Sequence, residues 1–475
     1  MPELENKIKE FAKKAGAGLV GIAGPGRFDG PPSLDPTYEM PGGKSIVSLV
    51  LPLSVGAIYE FFGKVSPVPH NIDQAKTNQR MNRISKEIAD YIKSLGYKAK
   101  PVLANNTYRR CLDPFAIRPS FSHRMGAVVS GLGGFGLSGN VVTKEYGAAI
   151  VLGTVITNAK LESDPVLPAR YVMDNRCKTC KLCDKSCTMG MFRDDDEEYL
   201  LINGELHARG KRDNIDFCNA PCFGLHSISR DKKWTNWGQH WIKEWTEGQP
   251  DPNDRVKVRQ TFMSVGARTG DSTLRFKTIV KVAHELHPRE LVEDLLPDYE
   301  QLPKDENERV KIWLKACENM GSTGLERDPN LITCTQCIMV CGPDFEETKK
   351  RYDMLCNSGY VVPDANWKMH HYDTYEEAVK NRYVRRVPRA EMIKDATENG
   401  KLWFNNYFGI EPKGEIQDFF YQIKAKQACA RAGLKGKEAK APIVINPAYL
   451  MAMMLPPKKK KNGRPAPEKI AKNSG

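Results

Sequence analysis

The feature that most constrains this chain is the spacing of its cysteines. Cys177, Cys180, Cys183 and Cys187 form a C-x2-C-x2-C-x3-C run. Thiolates at this spacing on a tight loop converge on three corners of one iron–sulphur cube. The fourth points away and ligates a different cube. A second half is therefore required, and Cys334, Cys337 and Cys341 supply it downstream. The expected pairing is crossed: Cys177, Cys180 and Cys183 take Cys341, while Cys187 joins Cys334, Cys337 and one further cysteine. A structural zinc site needs only two CxxC pairs and would not call for a third and fourth thiol in this rhythm.

The eighth ligand has four candidates upstream of Cys341: Cys111, Cys218, Cys222 and Cys317. Cys317 is the expected one, because it precedes Cys334 on the helical-looking stretch Ile312 to Asn319. Cys218 and Cys222 read as buried thiols or a third metal or redox site. Cys111, Cys356 and Cys429 read as structural.

A chain of 475 residues has room for two or three domains. Its thirteen cysteines, an odd number mostly in cluster spacing, fit a reducing compartment better than a disulfide framework. No apolar run is long enough to span a bilayer, and the first residues carry no basic, apolar or twin-arginine leader. A cytoplasmic protein is expected. The net charge of +13 points to an acidic partner. An acidic ferredoxin or flavodoxin is the natural electron donor, with nucleic acid as the rival.

Periodicity predicts a helix over 3–15, strands at 19–23 and 45–51, a helix over 74–95 and a strand over 98–104. These recurring units suggest an α/β layer with a mixed sheet. A helix over 121–130 then runs into Gly131-Leu-Gly133-Gly-Phe-Gly136. The string matches GxGxxG but follows a helix and leads to strands near 140–143 and 148–157, so it is no dinucleotide fingerprint. Glycines so placed let the backbone approach a neighbouring element or a flat ligand. The acidic run Asp194 to Glu198 reads as a solvated loop. Trp234, Trp237, Trp241 and Trp245 stand at helical spacing, which predicts a helix packed on the protein or on a partner subunit. Residues 272–296 also look helical. The tail from Lys458 reads as basic and disordered.

Three strings together resemble one family: Ser130 to Gly136, Val141 to Gly147, and Gly153 to Leu161 with Asp164 and Pro165, joined to the first cysteine run. They look like the cobalamin-dependent reductive dehalogenases and their relatives the epoxyqueuosine reductases. Trp313-x3-Cys317 ahead of Cys334 resembles the dehalogenase second motif and favours Cys317. The resemblance implies an α/β (α+β) fold: a nitroreductase-like corrinoid-binding core with a bacterial ferredoxin-like domain holding two [4Fe-4S] clusters. Residues 1–170 would form the core and 171–350 the iron–sulphur domain, with an insert near 191–312. Residues 351–457 would complete the core. The resemblance implies base-off cobalamin, with Gly131, Gly133, Gly136 and Asn140 against it. It also implies an anaerobic enzyme removing halide from an organohalide with two electrons and a proton. Tyr108 lies where the family places its proton donor, and Arg109 or Arg110 would stabilise the tyrosinate. Lys144 and His123 are weaker candidates. The alternatives are an epoxyqueuosine-reductase-like enzyme and a non-catalytic electron-transfer or corrinoid-handling protein. Two departures from the dehalogenase pattern are Val151 where an arginine often follows the Tyr-Gly step, and Thr188 and Gly342 where proline usually follows cysteine.

Overall fold

A computed structural model describes residues 2–103, 119–212, 215–222, 224–238, 240–242, 292–319, 334–366, 368–384 and 412–439, with a few isolated positions between them. Helix α1 (Pro2–Lys14) leads into strand β1 (Leu19–Ala23). Strand β2 (Ser45–Pro52) follows, then α2 (Val55–Phe62) and the long α3 (Val68–Ser94). Strand β3 (Ala99–Val102), helix α4 (His123–Val129) and strand β4 (Ile150–Thr157) complete the first layer. The sheet order is β1-β2-β4-β3.

Every pairing in this sheet is antiparallel, which corrects the mixed sheet expected from the alternation of helices and strands. Adjacent strands here are joined by long connections that return the chain in the opposite direction, a choice that local periodicity does not encode. β2 is buried along almost its whole length because both its faces are covered. Val47 and Leu49 face α1 and α3, with Ile8, Met81, Ile84 and Ile88. Ile46 faces α4, with Ala127, Val128 and Phe135. Phe11 of α1 stacks on Tyr91 of α3, their ring centroids 4.2 Å apart. Ser48 stays inside because it accepts a hydrogen bond from Ser130 Oγ at 3.1 Å.

The acidic run is not a loop. Strand β5 (Phe192–Ile202) pairs with β6 (Glu205–Arg212), and the ladder shifts register between Phe192 and Glu197. Asn203 and Gly204 turn it, with φ of +50° and +80°. An Asn-Gly pair with both residues left-handed is the turn that matches strand twist, and it was the missed sequence signal. Glu198 opposes Arg209 and pairs with it at 2.7 Å, which is why so charged a strand can be partly buried.

Helix α5 (Ile215–Cys222) follows the hairpin, and α6 (Glu306–Asn319) carries Trp313. Then come α7 (Phe345–Asn357), the antiparallel pair β7 (Tyr360–Pro363) and β8 (Met369–Tyr372), α8 (Tyr375–Asn381) and α9 (Pro412–Arg431).

The tryptophans do not form a helix. Residues 234–238 run irregularly, with Thr235 bridged to Ile228 and bonded through its hydroxyl to Val361. Trp234 and Trp237 are still core residues, and the Trp237 indole donates to the Phe61 carbonyl at 2.9 Å. Both pack in this chain's main core. Trp241 stacks on Tyr375, with the Arg382 guanidinium 4.3 Å from its ring centroid. Spacing alone could not separate this from a helix, because the indoles serve different clusters. Trp245, most of 272–296 and the tail from Lys458 lie outside the described residues. Among the described residues no helix is long and apolar enough to cross a membrane.

Candidate functional site

The first cysteine run winds through short helical turns, Met173–Cys177, Lys178–Cys180 and Leu182–Lys185. Lys181 adopts a left-handed φ of +53° between the last two, which folds the loop tightly enough to gather its thiols. Cys334 and Cys337 flank a similar left-handed residue, Thr335, ahead of the turn Gln336–Met339.

These loops meet, and the thiols sort into two groups. Burial pushes Cys177 up to about 12, with Cys341 and Cys180 adding to the rise. Cys183 rises for the same reason and feels Cys341, Cys177, Cys337 and Cys180. Cys177, Cys180, Cys183 and Cys341 are thus one group of neighbours. In the other, burial raises Cys334, and Cys187, Cys218 and Cys337 reinforce it. Cys337, at about 12, is raised first by burial, then by Cys218 and Cys187. Cys183 lies where the two groups adjoin, since it feels Cys337 across the boundary.

Cys218 stands with the second group, beside Cys334 and Cys337. The hairpin β5–β6 explains it: the chain leaves the first run, turns at Asn203-Gly204 and returns, so that α5 lands beside Cys187. Cys222 lies one helical turn on, its Sγ 4.0 Å from that of Cys218. The expected Cys317 is on α6, but its side chain is outside the described residues.

Donors point at these sulphurs. The Leu137 N–H reaches Cys177 Sγ at 3.4 Å. The amides of Asn140 and Asn236 reach Cys337 Sγ at 3.5 Å and Cys334 Sγ at 3.9 Å. The Arg176 guanidinium lies 3.7 Å from Cys341 Sγ. Neutral thiols need few such donors, whereas metal-bound thiolates accept them readily. Among the described residues no three donors close on a single metal ion. Thiolates on the outside of a cubane stand farther apart than thiolates around one ion, so the donor set fits the larger group.

At the glycines expected to face a corrin, the direction a side chain would take is filled by protein. A side chain at Gly131 would strike the Pro165 carbonyl at 2.1 Å, and one at Gly133 the Val142 carbonyl at 2.4 Å. At Gly136 it would meet Val142 at 2.8 Å and Cys177 Sγ at 3.4 Å. Asn140 is buried and serves Cys337. The segment 136–140 thus lies between both thiol groups. Its glycines bring backbone close to protein, the first of the two roles their setting allowed.

Two arginines flank the second group. Arg212 is drawn down to about 9 by burial and by the neighbouring Arg209 and Arg124. Its Nη2 donates to the Ser138 carbonyl at 2.8 Å, while its Nε has no partner. Arg124 and Arg212 both oppose the rise of the Cys218 thiol.

Of the acid–base candidates, His123 is half-buried between Thr154 Oγ1 at 2.8 Å and the Leu103 carbonyl at 3.4 Å. Burial lowers it to about 4, so it is neutral near pH 7. Lys144 is exposed. Tyr108, Arg109 and Arg110, with Cys111, lie outside the described residues.

No family model matches the chain. A curated epoxyqueuosine reductase from Atelocyanobacterium thalassa (isolate ALOHA) is 29% identical over 169 residues, covering 34% of this chain and 46% of that protein. The match thus spans about half of that relative's length. Among solved structures, an epoxyqueuosine reductase with a modified tRNA stem loop superposes at TM-score 0.32, with 16% identity over 67% of this chain and 99% of that one. A catabolic reductive dehalogenase superposes at 0.35, with 13% identity over 54% and 33%.

Proposed function

We propose that this chain is an oxidoreductase that carries two [4Fe-4S] clusters and uses them to drive a reduction. Cys177, Cys180, Cys183 and Cys341 hold the first cluster. Cys187, Cys218, Cys334 and Cys337 hold the second. The observation that carries this reading is the gathering of eight buried or half-buried thiols from the two runs and Cys218, with amide and guanidinium donors aimed at their sulphurs. When bound, such clusters supply single electrons at low potential.

The protein's own residues do the rest. Burial excludes water and makes uncompensated thiolates costly, so the eight sulphurs ionise on metal binding. Leu137, Asn140 and Asn236 then stabilise their negative charge. An acidic ferredoxin or flavodoxin, in a reducing cytoplasm, suits a chain of net charge +13 as the donor of electrons.

The substrate class follows the curated relative: an epoxyqueuosine-type reduction on a modified nucleoside takes precedence over halide removal from an organohalide. Tyr108, with Arg110 beside it in sequence, is the proposed proton donor. Corrinoid has no support from Gly131, Gly133, Gly136 or Asn140, and no step is assigned to it.

The test is metal and sulphide analysis of anaerobically purified protein. We expect about eight irons and as many sulphides per chain. Zinc in place of iron, without sulphide, would overturn the reading. Cobalt measured on the same sample decides the corrinoid. Turnover of epoxyqueuosine-bearing tRNA against that of an organohalide, each with a low-potential reductant, decides the substrate.

A further inference from the structure

We propose that Arg176 sets the reduction potential of the first cluster, acting as a fixed positive charge that favours the reduced form. The inference rests on the two-cluster reading. Arg176 directly precedes Cys177 in the first run, yet its guanidinium lies on the loop after Cys341. Nη1 donates to the Pro343 carbonyl at 2.8 Å. Nη2 donates to the Gly342 carbonyl, to Thr348 Oγ1 at 3.3 Å and to the Asp344 carbonyl at 3.4 Å, and it lies 3.7 Å from Cys341 Sγ. The side chain is thus fixed by three carbonyls and a hydroxyl, with one face turned to a ligand sulphur. Arg176 opposes the rise of both Cys177 and Cys341, the two thiols contributed from opposite halves of the chain.

The chemistry follows from charge. Reduction takes one electron from an external donor and adds one negative charge to a cluster already bearing four thiolates. No bond is made or broken. A guanidinium cannot lose its charge in a protein, and in a partly buried site it is weakly screened. It therefore stabilises the reduced form more than the oxidised one. The second group takes amide donors on its sulphurs, from Asn140 and Asn236, with Arg124 and Arg212 near Cys218. Arg176 is the guanidinium whose contacts fix it against a sulphur of the first group, so its removal should move the potential of that cluster alone.

The experiment is a potentiometric titration with dithionite, followed by electron paramagnetic resonance, on intact anaerobic protein and on Arg176→Gln and Arg176→Lys. In Arg176→Gln we expect one of the two reductions to shift to more negative potential and the other to stay in place, with iron and sulphide unchanged. Arg176→Lys, which keeps the charge but not the fork of donors, should restore most of the native potential. Unchanged potentials in Arg176→Gln at full iron content would overturn the proposal. So would a shift in Arg176→Lys as large as in Arg176→Gln, or equal loss of iron in both, since Arg176 would then be only a clamp. Absence of iron and sulphide from the native protein would instead reject the cluster reading itself.

Discussion

Cys218 shows how a single residue changes role once its neighbours are known. In sequence it sits four positions from Cys222 and far from either cysteine run. In space it stands beside Cys187, Cys334 and Cys337. Cys218→Ser should therefore remove about half of the iron, and Cys317→Ser should leave it intact. Iron analysis of the two variants reverses the assignment if the losses are exchanged. His123 makes a different kind of prediction. Its pKa is about 4 in the fold against an ordinary 6.5, so between those values the unfolded chain binds more protons than the folded one. Its contribution is complete above about pH 6.5 and is lost as the pH falls towards 4. The urea midpoint of the iron-free protein should drop over that window, and less steeply in His123→Phe. An equal slope in both would show that His123 is not the group responsible. Tyr108 is tested by catalysis: Tyr108→Phe should lower turnover about a hundredfold, the usual loss for a general acid, with iron content unchanged.

Among the elements, the first strands and helices were readable because each has one dominant period. β1 falls at 19–23 as expected, and β2 exceeds its expected span by one residue. The hairpin β5–β6 was hidden by its charges. Asp194 to Glu198 look solvated until Arg209, Lys211 and Lys437 are seen to pair with Glu198 and Asp196 from the next strand and from the end of the described chain. Long-range pairs of that kind leave no local signature. The turn into β4 carries the element-scale prediction. Gly147 has φ of +66°, and a side chain there would lie 2.0 Å from the Gly342 carbonyl and 2.3 Å from that of Cys341. Gly147→Ala should cost about 1–2 kcal/mol for the left-handed backbone alone. Its larger effect should be displacement of Cys341, read as loss of the first cluster's iron with the second retained. Full iron in this variant would mean that the Cys341 loop moves without consequence.

At the scale of the whole molecule, the meeting of the 177–187 and 334–341 loops was legible from the cysteine spacing. The approach of Cys218 to Cys334 was not, since it depends on where a distant hairpin delivers its following helix. The meeting of the loops makes the metal part of the fold. Each group joins the 177–187 loop to the 334–341 loop, and Met339 and Val340 of the latter sit in the main core with Trp234 and Trp237. Removing iron with a chelator should lower the melting temperature of the whole chain in one transition, because binding free energy at such sites is folding free energy. A separate early transition, with the sheet melting at its original temperature, would show the two parts to be independent.

The proposed crossed pairing also imposes an order on the protein's birth. The ribosome makes Cys177, Cys180, Cys183 and Cys187 first, yet these four thiols belong to two different sites and complete neither. They must wait, reduced and unpaired, while the hairpin, Cys218 and the long stretch beyond it are synthesised. The second site is whole only when Cys337 emerges, and the first only at Cys341, so the site begun first is the last to be finished.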